Sequence, residues 1–269
     1  MSKDHQSQDP WHLISAHRYE EAVAAYDAQL AADESGYYAA NRATALLCAG
    51  RLSEALEGFS MANDAARQSL ASRSTRLEHM GTVLWLMGHR SVAKELFRSA
   101  ADGIRYGTIA YADIAGGVGQ GLLLWYAGVT TKDRDATEHA VEYLTHLAKK
   151  SRIKSWPGPL ALFVIERQAQ SLFPRALPFG ELLRDSFQTG NLQEVIEQAK
   201  SDILKRRELI QALFVLGTKR RKKGDKAGCL RAFQQCAQLE NPHVEQEWYL
   251  AAAEVGLFPP GGGAGTKRS

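Results

Sequence analysis

Apolar residues between Leu77 and Ala100 recur every three or four positions on both sides of Gly88. This spacing places them on one face of a helix, so the pattern predicts two short amphipathic helices joined by a glycine turn. One such hairpin has too little apolar surface to offset the conformational entropy that is lost when it becomes ordered. We therefore expect further hairpins to pack beside it.

The turn and its apolar stripes repeat along the chain. When His17, Gly50 and Gly88 are aligned as turns, an alanine stands five residues later and an aromatic residue stands nine residues later. The intervals between these turns are 33 and 38 residues, which is typical of helical repeats. The sequence therefore predicts at least three hairpins of one kind in its first hundred residues.

A fourth unit is built around Gly224, near the C-terminus. Gly217 stands seven residues before this turn and Phe233 nine residues after it, as in the third unit. Cys229 and Cys236 take the places of the small residues on the second helix. Small residues let helices approach closely, and we expect the aromatic side chain to fill the gap between adjacent hairpins.

The middle of the chain departs from this unit. Residues 111–149 predict a degenerate hairpin with a longer connector, and Trp156-Pro-Gly-Pro interrupts any helix because proline lacks the amide donor. No alternating apolar run predicts a strand, so we predict an all-α solenoid of stacked antiparallel hairpins with an irregular middle section. It forms a single domain at 10–255, whose predicted parts are repeats at 10–32, 37–66, 77–101 and 209–239, the degenerate hairpin, an insert at 156–205, a capping helix at 242–255, and disordered ends at 1–9 and 256–269.

These units resemble the tetratricopeptide repeat (TPR) family, which carries a small residue on the first helix, a glycine-rich turn, and small and aromatic residues on the second helix. The resemblance implies a concave groove, lined by the first helices, that binds a peptide or a domain of another protein. Ordinary exposure or core packing remains the alternative for each single groove position. Carried onto the matched units, these positions are Tyr37, Thr44, Leu47, Thr75, Glu78, Thr82, Trp85, Gln211, Phe214, Thr218, Arg221 and Lys222.

Within this set, Trp85 and Tyr37 have the aromatic character of binding anchors, and Arg221 and Lys222 are suited to pairing with carboxylates. Residues 156–254 are also similar to bacterial outer-membrane TPR adaptor lipoproteins, which recruit enzymes without catalysing a reaction. That similarity lies in Phe-x-Leu-Gly before the turn, Gly-Asp at the turn and Tyr-Leu-Ala in the last helix.

Residues 111–129, together with Trp-Pro-Gly-Pro, resemble TPR-type immunity proteins of Rhs and other polymorphic toxin systems. This resemblance implies that the chain neutralises a cognate toxin by covering it. We therefore expect a bacterial, non-enzymatic module that holds one protein partner, most concretely an immunity protein, with a general cytoplasmic adaptor or scaffold as the alternative.

Composition is compatible with this expectation. The chain has 269 residues, of which 45% are apolar, and its three cysteines are too few and too odd in number for a disulfide framework, so packed free thiols are expected. Residues 1–9 are polar, and no apolar run approaches the roughly twenty residues that a membrane span needs. We therefore expect no signal peptide, no membrane partner and a cytoplasmic location.

Positive charge is concentrated in the C-terminal half. Residues 149–226 hold 17 Lys and Arg against 8 Asp and Glu, whereas residues 1–100 hold 10 against 12. For the sharpest run, Lys219–Lys223, the alternatives are a solvated helix end, an acidic protein surface as partner, and nucleic acid. Nucleic acid is the least favoured because neither stacking aromatics nor a helix that enters a groove is evident.

The stretch from Gly116 to Gly121 superficially resembles a dinucleotide-binding loop, which keeps an enzyme open as a competing class. Such a loop follows an apolar strand, whereas the residues before these glycines continue a helical stripe. We therefore interpret Gly117 and Gly121, four residues apart, as positions of close helix contact.

A metal site is the other chemical alternative. His139, Glu142 and His146 lie about one helical turn apart, but a charged helix surface explains the same spacing, and the paired His-Glu-x-x-His arrangement is absent. No nucleophile motif or phosphate-binding loop occurs either. We predict no catalytic residue, cofactor or metal ligand.

Overall fold

A computed structural model describes residues 9–32, 38–65, 70–111, 115–150, 153, 155–165, 203–240 and 245–258. Within these ranges the chain forms twelve α-helices and no strand, so the all-α prediction is confirmed. The helices are α1 Pro10–Ser15, α2 Tyr19–Ala32, α3 Ala39–Cys48, α4 Leu52–Ala65, α5 Leu70–Leu86, α6 Arg90–Arg105, α7 Val118–Thr131, α8 Arg134–Ala148, α9 Gly158–Val164, α10 Ile203–Lys222, α11 Lys226–Ala237 and α12 Gln246–Glu254.

Five helix pairs are joined by tight turns of one geometry. Just after the first helix, one residue adopts a left-handed conformation, with φ of 59° at His17, 76° at Gly50, 87° at Gly88, 56° at Lys132 and 80° at Gly224. The amide that follows each of these residues donates to the carbonyl five residues earlier, at 2.8–3.0 Å. This is the hydrogen bond of a Schellman motif, which satisfies a free carbonyl at the end of a helix.

Four of these turns lie where the sequence predicts them, and the first confirms the register of the opening unit although His17 replaces glycine. The fifth turn, at Lys132, closes the middle hairpin tightly, whereas the sequence predicted a longer connector there. Its first helix begins at Val118, because Gly117 takes a φ of 98° and cannot continue a helix from Tyr111.

The helices pack in consecutive pairs. The two helices of each hairpin pack against each other. Neighbouring hairpins are joined by contacts of α2 with α3, of α4 with α5, and of α6 with α7. The short helix α9 lies against α7, α8 and α10. It begins at Gly158, inside the Trp156-Pro-Gly-Pro stretch that was expected to interrupt any helix, since Pro159 fits the first turn of a helix.

Glycine and phenylalanine form matching contacts in the third and last hairpins. A Cβ atom added to Gly81 would lie 2.5 Å from Cε1 of Phe97, and one added to Gly217 would lie 2.7 Å from Cε1 of Phe233. Each ring therefore packs directly on the glycine of its own hairpin, whereas the sequence placed it between hairpins. The other repeated positions are also buried, namely Ala22, Tyr26, Ala55, Phe59, Ala62, Ala93, Ala100, Cys229 and Cys236.

The C-terminal helices turn back onto the earlier ones. Helix α10 packs on α7, and α12 packs on α5, α10 and α11. Tyr249 of α12 is buried, and its hydroxyl lies 3.0 Å from Sγ of Cys48 in α3. The face of the first helices that was expected to form an open groove is therefore covered by the same chain.

Several predicted segments lie outside the described residues: 1–8, most of the insert at 156–205, the start of the capping helix at 242–244, and 259–269. Phe258, at the start of the predicted disordered tail, packs edge to face on Tyr249 with ring centroids 5.7 Å apart. Cys48, Cys229 and Cys236 are buried free thiols, as expected. Among the described helices, none is long and apolar enough to cross a membrane.

Candidate functional site

Most of the groove residues predicted from the sequence are enclosed by the chain itself. For each of them the sequence left partner contact and core packing open, and the structure places seven in the core. Gln211, Phe214 and Thr218 belong to α10, and helix α5, which carries Thr82 and Trp85, packs against α12. At most 6% of each of these residues is exposed: Thr44, Leu47, Thr82, Trp85, Gln211, Phe214 and Thr218. Thr75 and Glu78 are partly exposed, and Tyr37 lies outside the described residues.

Trp85 and Phe214 belong to one aromatic cluster that is centred on Tyr126 of α7. The ring centroid of Tyr126 lies 5.2 Å from that of Trp85 and 4.7 Å from that of Phe214. Its hydroxyl donates to Oε1 of Glu254 at 2.7 Å, and burial, reinforced by the charge of Glu254, raises the pKa of Tyr126 well above its usual value. The sequence missed Tyr126 because it stands in an apolar run where no single position is distinguished.

Arg221, which the sequence assigned to pairing with a carboxylate of a partner, pairs with a carboxylate of its own chain. Its two Nη atoms each donate to a carboxylate oxygen of Glu254 at 2.7 Å, and Nη1 also donates to Oγ1 of Thr130 at 2.8 Å. Burial acts to raise the pKa of Glu254, but the hydrogen bonds from Arg221 and Tyr126 outweigh it, so this pKa lies below its usual value. Glu254 carried no signal in the sequence, since it is one of several acidic residues in the last helix.

The basic run at the end of α10 is largely engaged inside the fold. Lys219 donates to the carbonyl of Phe163 at 2.6 Å and lies 3.7 Å from the centroid of its ring, while Arg220 donates to the carbonyl of Gly228 at 3.1 Å. With Arg221 paired to Glu254, only Lys222 and Lys223 of this run are exposed. The run therefore offers a partner less charge than its sequence suggests.

An open cleft of about 900 Å³ lies between the α7–α8 turn and the α10–α11 turn, and we call it the turn-edge cleft. One wall is the end of α7 with the first turns of α8, and the other is the end of α10 with the first turns of α11. Val129 and Leu230 provide apolar surface, and Leu230 is 47% exposed although it is a large aliphatic residue. The predicted residues Arg221 and Lys222 both line this cleft.

Cations surround the turn-edge cleft, and its acidic side chains are already paired. Asp133 binds Lys94 and caps α8 through the amide of Ala136, Glu138 binds Arg134 at 2.7 Å, and Glu254 binds Arg221. By contrast, three exposed lysines of the cleft form no ion pair with another described residue: Lys132, Lys222 and Lys226. The cleft therefore presents uncompensated positive charge beside exposed apolar surface.

A second polar cluster joins α10 to the start of α12. Gln211 donates to Oε2 of Glu245 at 3.0 Å and accepts from Nε1 of Trp156 at 2.6 Å, and Arg207 lies 2.7 Å from Glu245. Burial and the charge of Glu247 raise the pKa of Glu245 to about 8. Gln211, predicted to contact a partner, thus ties two helices of its own chain together.

Side chains of α8 occupy the space beside Gly117 and Gly121, in agreement with the interpretation of these glycines as positions of close helix contact. The hydroxyl of Tyr143 donates to the carbonyl of Gly117 at 2.8 Å, and a Cβ atom on Gly117 would lie 2.6 Å from that hydroxyl oxygen. A Cβ atom on Gly121 would lie 2.6 Å from Cδ2 of Leu144. The space next to these two glycines is therefore taken up by side chains.

The histidine and glutamate of the alternative metal site contact α6. Nε2 of His139 lies 2.7 Å from Oδ1 of Asp102, and Oε2 of Glu142 lies 4.0 Å from Nη1 of Arg105. In the part of the chain that the structure describes, no three His, Cys, Asp or Glu side chains are grouped as a metal site would require.

No known protein-family profile matches this sequence, and no curated protein is significantly similar to it. The recurring hairpins and the turn-edge cleft are therefore the features from which a function is inferred.

Proposed function

We propose that this chain is a non-catalytic, TPR-like module that binds one protein partner, and that the partner docks at the turn-edge cleft rather than on the face of the first helices. Three lysines that form no ion pair within the described part of the chain line this cleft together with the exposed Leu230, and this observation carries the proposal. Protein interfaces combine a buried apolar centre with a polar rim, and the cleft has both.

The TPR-like repeat is supported by the turns and by the glycine contacts. The same left-handed turn with the same hydrogen bond joins the two helices of five described hairpins, and the Gly81–Phe97 contact recurs as Gly217–Phe233. Such recurrence is what stacked helical repeats require, because each hairpin must offer its neighbour a similar surface.

We place the partner at the turn-edge cleft because this cleft is open, whereas the predicted groove residues Trp85 and Phe214 are buried. Binding through these two residues would require helices that pack on α5 and α10, such as α12, to move away. Tyr249, Leu250, Ala251 and Ala252 of α12 are at most 2% exposed, and exposing them would cost several kcal/mol. The cleft needs no such rearrangement.

The most concrete form of this proposal is an immunity protein that neutralises a cognate Rhs-type toxin in the cytoplasm by covering its active surface. It rests on the resemblance of residues 111–129 and Trp-Pro-Gly-Pro to TPR-type immunity proteins. A general cytoplasmic adaptor would use the same cleft to hold a partner that is not toxic.

The test begins with affinity capture by the tagged chain from a lysate of its native cells, followed by reconstitution from two purified proteins and isothermal titration calorimetry. We expect one partner that binds in a 1:1 ratio. If this partner stops growth when expressed alone and growth returns on co-expression, it is a toxin; if it is harmless, the adaptor form holds. Failure of every captured protein to bind in the purified system would contradict the proposal.

A further inference from the structure

We infer that the turn-edge cleft receives an acidic segment of the partner in which a large apolar side chain stands between carboxylates. This inference rests on the proposed function, because it names the part of the partner that the cleft takes. Apolar surface, charge and the position of the cations each contribute to it.

The apolar part of the ligand is indicated by Leu230. This side chain on α11 lines the cleft together with Val129, and 47% of it is exposed. An aliphatic or aromatic side chain placed in the cleft would remove water from Leu230 and from the ligand at once, which is favourable. A purely ionic ligand would leave this surface wet.

The charge of the ligand is indicated by the lysines. Lys132 stands on one wall, Lys222 and Lys226 stand on the other, and all three are exposed without an ion pair among the described residues. The acidic side chains of the cleft are held by Lys94, Arg134 and Arg221, so they do not neutralise these lysines. Carboxylates on the ligand would complement the remaining field.

The extent of the ligand follows from where the cations lie. They belong to two different hairpins, so a ligand with two or more separated anionic groups can pair with cations of both walls at once. A peptide segment with alternating acidic and apolar residues has this form, and a cleft of about 900 Å³ has room for several side chains.

The C-terminal residues of the chain do not have this chemistry. Residues 259–269 contain Lys267 and Arg268 and no acidic residue, so their charge repels the lysines of the cleft. An acidic segment from another protein is the occupant that the charges favour.

The first experiment measures fluorescence anisotropy of a fluorescein-labelled peptide of alternating Glu and Leu residues, titrated with the full chain. Two matched peptides replace every Glu by Lys or every Leu by Ser. We expect the Glu/Leu peptide to bind more tightly than either of them, and its affinity to fall as salt screens the lysines. Absence of binding by the Glu/Leu peptide would overturn the inference.

The second experiment locates the binding. Lys222→Glu combined with Lys226→Glu should lower the affinity for the Glu/Leu peptide by about tenfold or more, because attraction becomes repulsion at two positions. The control combines Lys149→Glu with Lys150→Glu, the same charge change on exposed lysines about 20 Å away at the far end of α8. Leu230→Ser should also weaken binding, whereas Val92→Ser, at a 54% exposed position on α6, should not.

The outcomes separate this inference from the proposed function. If peptide affinity falls equally in the cleft and control variants, or falls in neither, the inference is overturned. It is also overturned if the wild type self-associates with increasing concentration and Lys222→Glu with Lys226→Glu abolishes this self-association. If the captured partner binds these variants as tightly as the wild type, the inference fails while the proposed function stands. If the acidic peptide binds in the cleft but no protein partner binds, the proposed function fails instead. Thermal unfolding of every variant checks that each is folded.

Discussion

At the scale of single residues, glycines decide how closely the helices of a hairpin approach. Gly81 and Gly217 each face a phenylalanine ring so closely that a β-carbon would lie 2.5–2.7 Å from it. Both belong to helix interiors, where glycine costs about 1 kcal/mol relative to alanine. The chain tolerates this cost because the close contact depends on the missing side chain.

Replacing Gly81 with alanine should lower the free energy of unfolding by about 1–3 kcal/mol, because the added methyl group meets the ring of Phe97. Urea denaturation measures this change. Gly119→Ala is the control, since its nearest neighbour is the carboxylate end of Glu78 at 3.2 Å, which is able to move. A loss at Gly119 as large as the loss at Gly81 would mean that contact with Phe97 is not the cause.

The Arg221–Glu254 pair is the residue-scale feature that connects the cleft to the core. Glu254→Gln should lower the free energy of unfolding at pH 7 by about 1–3 kcal/mol, because the half-buried guanidinium loses its charged partner. Glu138→Gln removes a comparable but exposed pair with Arg134, and no measurable loss is expected there.

The same pair predicts a pH dependence. Because the pKa of Glu254 is lowered in the folded chain, its contribution is complete above the ordinary value of 4.5 and is lost as the pH falls through the lower folded-state pKa. Urea denaturation of wild type and Glu254→Gln over this range should show the two stabilities converging toward acid. A constant difference between them would show that ionisation of Glu254 plays no part.

At the scale of elements, α12 acts as a core element rather than as a terminal cap. Helix α12 packs on α5, α10 and α11, and its Leu250 is fully buried, whereas Leu257, just beyond the helix, is 51% exposed. The same residue type thus has two different environments seven positions apart.

Leu250→Ala should lower the free energy of unfolding by about 2–5 kcal/mol, since it removes buried methyl groups and leaves a cavity. Leu257→Ala should change it by less than about 0.5 kcal/mol. Chemical denaturation of both variants compares the two sites directly. Similar small losses in both would mean that α12 packs less tightly than its burial indicates.

At the scale of the whole molecule, the last helix joins the two apolar clusters of the chain. One cluster centres on α5–α8 and α10, the other contains α1–α3 and Tyr249, and Trp248 packs against both. Tyr249 and Cys48 meet although they are 201 residues apart in sequence. The stability of the N-terminal hairpins therefore depends on the C-terminal helix.

Hydrogen exchange tests this dependence. Tyr249→Ala should accelerate amide exchange in α3 as well as in α12, because α3 loses a buried aromatic contact from the other end of the chain. Tyr106→Ala, at a 70% exposed position, serves as the control and should leave α3 unchanged. Faster exchange confined to α12 would argue against this coupling.

Local features of this protein were readable from the sequence. The turns at His17, Gly50, Gly88 and Gly224 depend on residues close together in the chain, so spacing alone predicts them. Spacing also showed that glycine and phenylalanine recur around the last two of these turns, but not that each ring packs on the glycine of its own hairpin. The free, buried cysteines followed from the same register. Helix ends were less predictable, as α7 and α9 show, because single φ values and proline positions decide them.

What only the tertiary structure decided is which distant elements meet. A periodic apolar stripe predicts that one face of a helix is buried, but not whether a partner or the chain itself supplies the surface that buries it. Trp85 and Phe214 fit a binding groove in the sequence, yet they are enclosed because α10 and α12 turn back onto the first helices. Arg221 was expected to bind a carboxylate, and folding brings Glu254 to it from 33 residues away. The turn-edge cleft likewise exists only because two hairpins 90 residues apart in sequence come to lie side by side.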